Sequence, residues 1–282
     1  MRAFTDYQHY IFDLYGTLIS IHTDEASIQL WRWMADWYAV YGADWLPAAM
    51  FRRYKRMYAE EEALVKAQTG CAIPEIKLEK VFLRLLKEAE RGHPAACAPR
   101  DGDEEAAWAV ATANAFRVRS RAWLKLYPGV NALLDGLRAR GKRVYLLSNA
   151  QAVFTRPEIE RCGLADRFDD LWLSSDHGLK KPDPAFLANL MRAHGMAAED
   201  VVMIGNDWHD DMGVAAANRV AGVAVNSYHL SRRQCREQRA ALAERFSPED
   251  AERIMEVDNI AQLARIAQGA SNVCKEPSLR SE

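Results

Sequence analysis

Asp13 closes an apolar run, His9-Tyr10-Ile11-Phe12, and is followed by Leu14-Tyr15-Gly16-Thr17. A carboxylate in that position can attack an electrophilic phosphorus or carbon and form an ester that water later hydrolyses, which splits one hard step into two easier ones. Such chemistry needs a positively charged pocket. Lys181, in Leu179-Lys180-Lys181-Pro182-Asp183-Pro184, supplies an ammonium that neutralises a phosphoryl group or a carboxylate. Ser148 and Asn149 supply a hydroxyl and an amide that donate to its oxygens. A fourth group, Asn206, Asp207, Asp210 and Asp211, follows Gly205. Mg2+ takes oxygen ligands and keeps several waters, so Asp13, the backbone carbonyl of Tyr15 and a side chain from Asn206, Asp207 or Asp211 make a sufficient set. Taken singly, the same residues also suit turns and caps, and either Asp210 or Asp211 could cap a helix starting near Met212.

These side chains need a scaffold that brings them to one edge. Val144 to Leu147, Asp170 to Leu173, Val201 to Ile204 and Val223 to Val225 are short apolar runs separated by helix-length segments, the pattern of parallel strands joined by crossovers. The fold class this predicts is α/β, a doubly wound, Rossmann-like parallel sheet, and in such sheets ligands bind beyond the carboxyl ends of the strands. Between Asp24 and Trp123 the pattern changes. Leu30, Trp33, Trp37 and Tyr41 recur at helical spacing, as do Phe51, Tyr54, Met57 and Tyr58. Breaks near Gly42, across Thr69 to Pro74 and across Gly92 to Gly102 leave about four helices, an inserted bundle. The division expected is a core over 1–20 and 124–282 and a helical lobe over 21–123. Within the core, 230–250 reads as a charged helical extension. A strand at Arg253 to Val257 and a helix at Asn259 to Gln268 follow, and the residues from Gly269 read as frayed.

Composition narrows the function classes. The 282 residues, 49% hydrophobic and 27% charged, can bury a sizeable core. Thirty-seven basic against 39 acidic residues leave a net charge of −2, too balanced for phosphate-backbone binding, so no nucleic-acid partner is expected. No stretch free of Asp, Glu, Lys and Arg exceeds twelve residues, so no membrane span is expected. The five scattered cysteines contain no C-x-x-C pair, which points to a reducing cytoplasm. The expected partner is a small-molecule substrate, and monomer and homodimer both stay open.

Phe12-Asp13-Leu14-Tyr15-Gly16-Thr17-Leu18, Leu147-Ser148-Asn149, Lys181-Pro182-Asp183-Pro184 and Ile204-Gly205-Asn206-Asp207 with Asp210-Asp211 occur in this order. Together they make the chain resemble the haloacid dehalogenase superfamily of hydrolases, and the helical insertion after the first motif is similar to that superfamily's first type of cap. The resemblance implies catalysis by Asp13, Tyr15, Thr17, Ser148, Asn149 and Lys181. It implies Mg2+ held by Asp13, Tyr15 and residues among Asn206, Asp207 and Asp211, and it also implies a small phosphorylated metabolite as substrate. Two positions depart from the phosphatase pattern. Where those phosphatases carry a second aspartate as proton donor this chain has Tyr15, the form that 2-haloacid dehalogenases also show. Where they carry an aspartate after the fourth motif's glycine it has Asn206, with Asp207 next and Asp211 available to hold Lys181. The alternatives implied are a metal-independent 2-haloacid dehalogenase and a decayed binding protein. His22, Thr23, Asp24 and Glu25 follow the first motif closely enough to reach the site; Arg117, Arg119 and Arg121 lie where the chain returns from lobe to sheet, as a fork for a carboxylate or phosphate or as hinge and salt-bridge residues; Trp31, Trp33, Trp37 and Tyr38 read as core or pocket; His177 and His209 read as loop residues.

Overall fold

The computed structural model describes residues 2–89 and 98–268. β1 (His9–Phe12) leads through a tight loop into β2 (Ile19–Thr23) and then α1 (Ile28–Ala39), α2 (Pro47–Thr69), α3 (Leu78–Ala89) and α4 (Gly102–Ser120). The chain returns through β3 (Arg121–Leu126) to α5 (Val130–Arg138), β4 (Arg143–Ser148), α6 (Ala152–Arg161), β5 (Asp170–Leu173), α7 (Ser174–His177) and α8 (Pro184–Ala193). It ends with β6 (Val201–Gly205), α9 (Asp211–Ala217), β7 (Ala221–Val225), α10 (Arg232–Arg245), α11 (Pro248–Glu252), β8 (Ile254–Val257) and α12 (Ile260–Ala267). The residues from Gly269 onward, and Gly92 in the break before α4, lie outside the described residues.

Six strands form one parallel sheet in the order β5-β4-β1-β6-β7-β8, so the doubly wound expectation holds. Successive side chains on a strand point to opposite faces, and both faces here are apolar. Tyr10, Phe12, Leu146 and Ile204 face α5 and α12, while Ile11, Tyr145, Leu147 and Met203 face α8 and α9. A one-residue slip would move Asp13 off the carboxyl edge and into a core, so packing fixes its position. Phe12 lies in register with Leu146 on one side and Ile204 on the other, which brings Asp13, Ser148 and the Gly205 loop to one rim. The chain runs outward from β1 to β4 and β5, then crosses back to β6, so β1 is the switch point where a crevice opens.

The four helices α1 to α4 enclose an apolar cluster of their own, with Trp31, Met34, Tyr38, Phe82 and Phe116 fully buried and Phe154 of α6 packed against it. Their limits follow from local chemistry. Pro47 opens α2 and Gly70, at φ 69°, closes it, while the Asp101 carboxylate caps α4 by accepting from the amides of Asp103 and Glu104. β2 and β3 pair antiparallel from Ile19 opposite Leu126 to Thr23 opposite Arg121, forming a ribbon that joins insert to sheet. The sequence reading contains no such ribbon, because Ile19-Ser20-Ile21-His22-Thr23 is short and only partly buried.

Candidate active site

Asp13 leaves β1 with its amide donating to the Ile204 carbonyl at 2.8 Å, and the residue is 7% exposed. Lys181 Nζ donates to Asp13 Oδ1 at 2.7 Å, the Ser148 hydroxyl donates to the same oxygen at 3.2 Å, and the Thr17 hydroxyl stands 3.2 Å from Oδ2. Lys181 spends its other two hydrogens on the Leu147 carbonyl at 2.9 Å and on Asp211 Oδ1 at 2.6 Å. The ammonium is therefore fully bonded and almost fully buried. Burial would lower its pKa, but Asp13 and Asp211 outweigh that and raise it, so Lys181 stays protonated. Burial pushes Asp211 the other way, above the usual carboxylate range, against the pull of Lys181.

The loop after β6 folds tightly over this group. Asp211 Oδ2 accepts the Asp207 amide at 2.9 Å, and Asp207 Oδ1 accepts the amides of His209 and Asp210, both at 2.8 Å. Asp210 precedes the first turn of α9 without capping it; its carboxylate contacts Asn149 Nδ2 at 3.0 Å and the His209 ring at 2.8 Å. Gly205 permits the fold-over, since a Cβ there would collide with the Asp211 carboxylate. Gly16, at φ 88°, does the same in the first loop, where a Cβ would stand 2.7 Å from Asn206 Oδ1.

Two side chains are not aimed as the sequence reading has them. Asn149 is spent on the chain itself: Oδ1 accepts the Lys181 amide at 2.7 Å, and Nδ2 donates to the Lys181 carbonyl at 2.9 Å and to Asp210. Both its amide hydrogens are taken, so it clamps Lys181 in place of reaching a phosphoryl oxygen. The Tyr15 hydroxyl turns away from Asp13 and donates to Glu158, with Thr155 Oγ1 3.1 Å away. Burial first, then Glu158, push its pKa well above the usual phenol value.

Among the described residues no three His, Cys, Asp or Glu side chains gather into a metal-binding group. The oxygen donors that suit a hard cation are instead Asp13, the Tyr15 carbonyl and the neutral Asn206. The Thr17 hydroxyl lies 3.2 Å from Asp13 Oδ2 and 3.0 Å from Asn206 Oδ1, so it stands between those two oxygens and holds the first loop against the fourth. Asp211 has both oxygens engaged, by the Asp207 amide and by Lys181, while Asp207 has only Oδ1 engaged, by the amides of His209 and Asp210.

Beside Tyr15 and Asn149 a cleft of about 230 Å³ opens between the helical insert and the sheet, and Glu25, Tyr54, Tyr58, Glu75 and Arg117 line it. Arg117 donates to Glu158 at 2.9 and 3.2 Å and lies 3.7 Å from Glu25; Arg121 also reaches Glu158, at 2.6 Å. Arg119 instead stacks over Trp33 at 5.3 Å. Trp31 and Tyr38 are core, and Trp33 and Trp37 pack against it. His22 stacks on Trp123 at 4.7 Å and His177 on Trp172 at 4.0 Å. Glu75, Tyr54 and Tyr58, which line the cleft, and Glu158, which bonds Tyr15 and both arginines, are not singled out by the sequence reading as candidate site residues. The only signal in the sequence was the four-residue spacing of the two tyrosines, which packing produces equally well.

A profile of haloacid dehalogenase-like hydrolases matches residues 7–218, and the chain belongs to that family. Over 145 residues the chain is 34% identical to a phosphoserine phosphatase of Thermus thermophilus, covering 51% of each protein. Over 93 residues it is 38% identical to a phosphoglycolate phosphatase of Nitrosococcus oceani, covering 33% of this chain and 41% of that one. The chain thus spans about half the length, or less, of these curated relatives. In fold it is similar to a 2-haloacid dehalogenase from Pseudomonas syringae pv. Tomato, with a TM-score of 0.60 at 20% identity, over 94% of this chain and 100% of that one. At that identity the likeness is one of fold alone.

Proposed function

We propose that the protein is a Mg2+-dependent phosphomonoester hydrolase with Asp13 as nucleophile, acting on a small metabolite. The carrying observation is the buried Asp13 carboxylate, anchored through Oδ1 by Lys181 at 2.7 Å beside a cleft lined by more carboxylates than cations. Asp13 attacks the phosphorus, the phosphorus–oxygen bond to the alcohol breaks, and an acyl phosphate forms on the enzyme. Water then cleaves that acyl phosphate and returns Asp13 with inorganic phosphate. Lys181 keeps its proton throughout and offsets charge at the attacking oxygen, while the Ser148 and Thr17 hydroxyls orient the carboxylate. Mg2+, held by Asp13, the Tyr15 carbonyl and Asn206, would neutralise charge on the phosphoryl oxygens. Position 15 gives the leaving group no carboxyl, a loss typically worth about 10²- to 10⁴-fold, so good leaving groups suit this site best. In this reading the helices over 21–123 act as a cap on a core formed by 1–20 and 124–282. A reducing, cytoplasmic setting fits Cys71, Cys162 and Cys235, which are free thiols.

The curated relatives, named as phosphatases, support the same reading. A 2-haloacid dehalogenase is the second reading, favoured by Tyr15 and the neutral Asn206. Against it, a haloacid brings a carboxylate, and the one arginine lining the cleft is already bonded to Glu158. Turnover of an aryl phosphate, measured with Mg2+ and with chelator for wild type and Asp13→Asn, separates the two. Release requiring both Mg2+ and Asp13 is the expected result. Absence of phosphate release, with halide released from a 2-haloacid in chelator, would replace the proposal with the second reading.

A further inference from the structure

The cleft beside Asp13 carries more negative than positive charge. Of the residues lining it, Glu25 and Glu75 are acidic and Arg117 is basic, and Arg117 both bonds Glu158 behind the cleft wall and lies 3.7 Å from Glu25, which leaves Glu75 as the lining carboxylate with no cation beside it. Glu75 is 7% exposed and accepts from Ser174 Oγ at 2.8 Å, Gln151 Nε2 at 3.1 Å and the Ile76 amide at 3.1 Å. Among the described residues no lysine, arginine or histidine stands within ion-pair distance of it. A buried carboxylate without a counter-charge is costly, and its usual compensation is a cation. Tyr54 is only 8% exposed and lines the same cleft, yet its hydroxyl has no hydrogen-bond partner among the described residues; nor does that of Tyr58. All four groups line the one cleft, and burial first, then Glu25 for Tyr54 and Glu75 for Tyr58, push the two phenols above their usual pKa.

We infer that this cleft receives the alcohol portion of a phosphomonoester carrying a protonated amine, with Glu25 and Glu75 as counter-charges and the Tyr54 and Tyr58 hydroxyls as acceptors. The inference rests on the phosphatase reading and adds a substrate class to it. An ammonium near the leaving oxygen also stabilises the departing alkoxide by induction, which suits a site with no carboxyl at position 15. The same charge balance disfavours substrates whose alcohol portion carries a carboxylate.

Three two-carbon phosphates test this: phosphoethanolamine, 2-hydroxyethyl phosphate and phosphoglycolate, with an aryl phosphate as reference. The kcat/KM for the ammonium compound should exceed that for the hydroxyl compound by about 10-fold or more, as one charge-assisted contact provides, with the carboxylate compound lowest. Glu25→Gln, and separately Glu75→Gln, should reduce the ammonium-to-hydroxyl ratio by about 10-fold, whereas a purely structural defect would lower both substrates together. Turnover of the aryl phosphate with no ammonium preference, or with a ratio unmoved in both variants, would overturn this inference alone. Failure to hydrolyse the aryl phosphate would overturn the phosphatase reading and the inference with it.

Discussion

Lys181 is the residue on which the site's electrostatics turn, because two buried carboxylates share its one charge. Replacing it by methionine would leave Asp13 and Asp211 facing each other without a cation, and breaking a buried pair from one side costs about 3–5 kcal/mol. Lys181→Met should therefore lose stability of that order in urea unfolding as well as activity; a loss below about 1 kcal/mol would mean that the ammonium is not holding the carboxylates in place. This part of the site was legible in the sequence, since Asp13 and Ser148 lie at the ends of apolar runs, Lys181 lies in the Lys-Pro-Asp-Pro segment that follows a third run, and the sheet must bring such ends together. Glu158 and Glu75 were not. Glu158 lies inside α6 and Glu75 beside Pro74, and nothing in their neighbours reveals that one would receive two arginines from the insert and the other none. Asn149 was legible as a site residue but not in its aim, because the direction of a side chain depends on the Lys181 backbone opposite it.

At the scale of elements, the turn between β6 and α9 works only because Gly205 leaves room for the Asp211 carboxylate to fold back onto the Asp207 amide. Gly205→Ala should push that carboxylate away and loosen Lys181. The expected result is a stability loss of about 1–3 kcal/mol and a fall in kcat; a fully active, equally stable variant would show that Asp211 is not tied to the turn. The strands and core helices were readable from their periods, including β8 and α12 after the charged α10. The β2–β3 ribbon was not, since its alternation is interrupted by polar residues and its partner strand lies about a hundred residues away.

Across the whole molecule, insert and sheet meet at Glu158. This buried carboxylate of α6 accepts from Arg117 of α4, Arg121 of β3 and the Tyr15 hydroxyl next to the nucleophile loop. Glu158→Gln should leave two guanidiniums short of a charge and cost about 3–5 kcal/mol in unfolding experiments, with a larger effect on KM than on kcat because the cleft wall shifts; unchanged stability would remove this contact as the tie between the two layers. The insert's four helices were foreseeable from hydrophobic spacing, but its docking was not, because the contacts are single ionic side chains rather than a repeating pattern. The central claim, covalent catalysis by Asp13, is tested most directly by quenching the enzyme with acid during aryl phosphate turnover and weighing its peptides. The account predicts one phosphoryl group on the peptide that carries Asp13, absent in Asp13→Asn; phosphate release at full rate from the Asp13→Asn enzyme would contradict it.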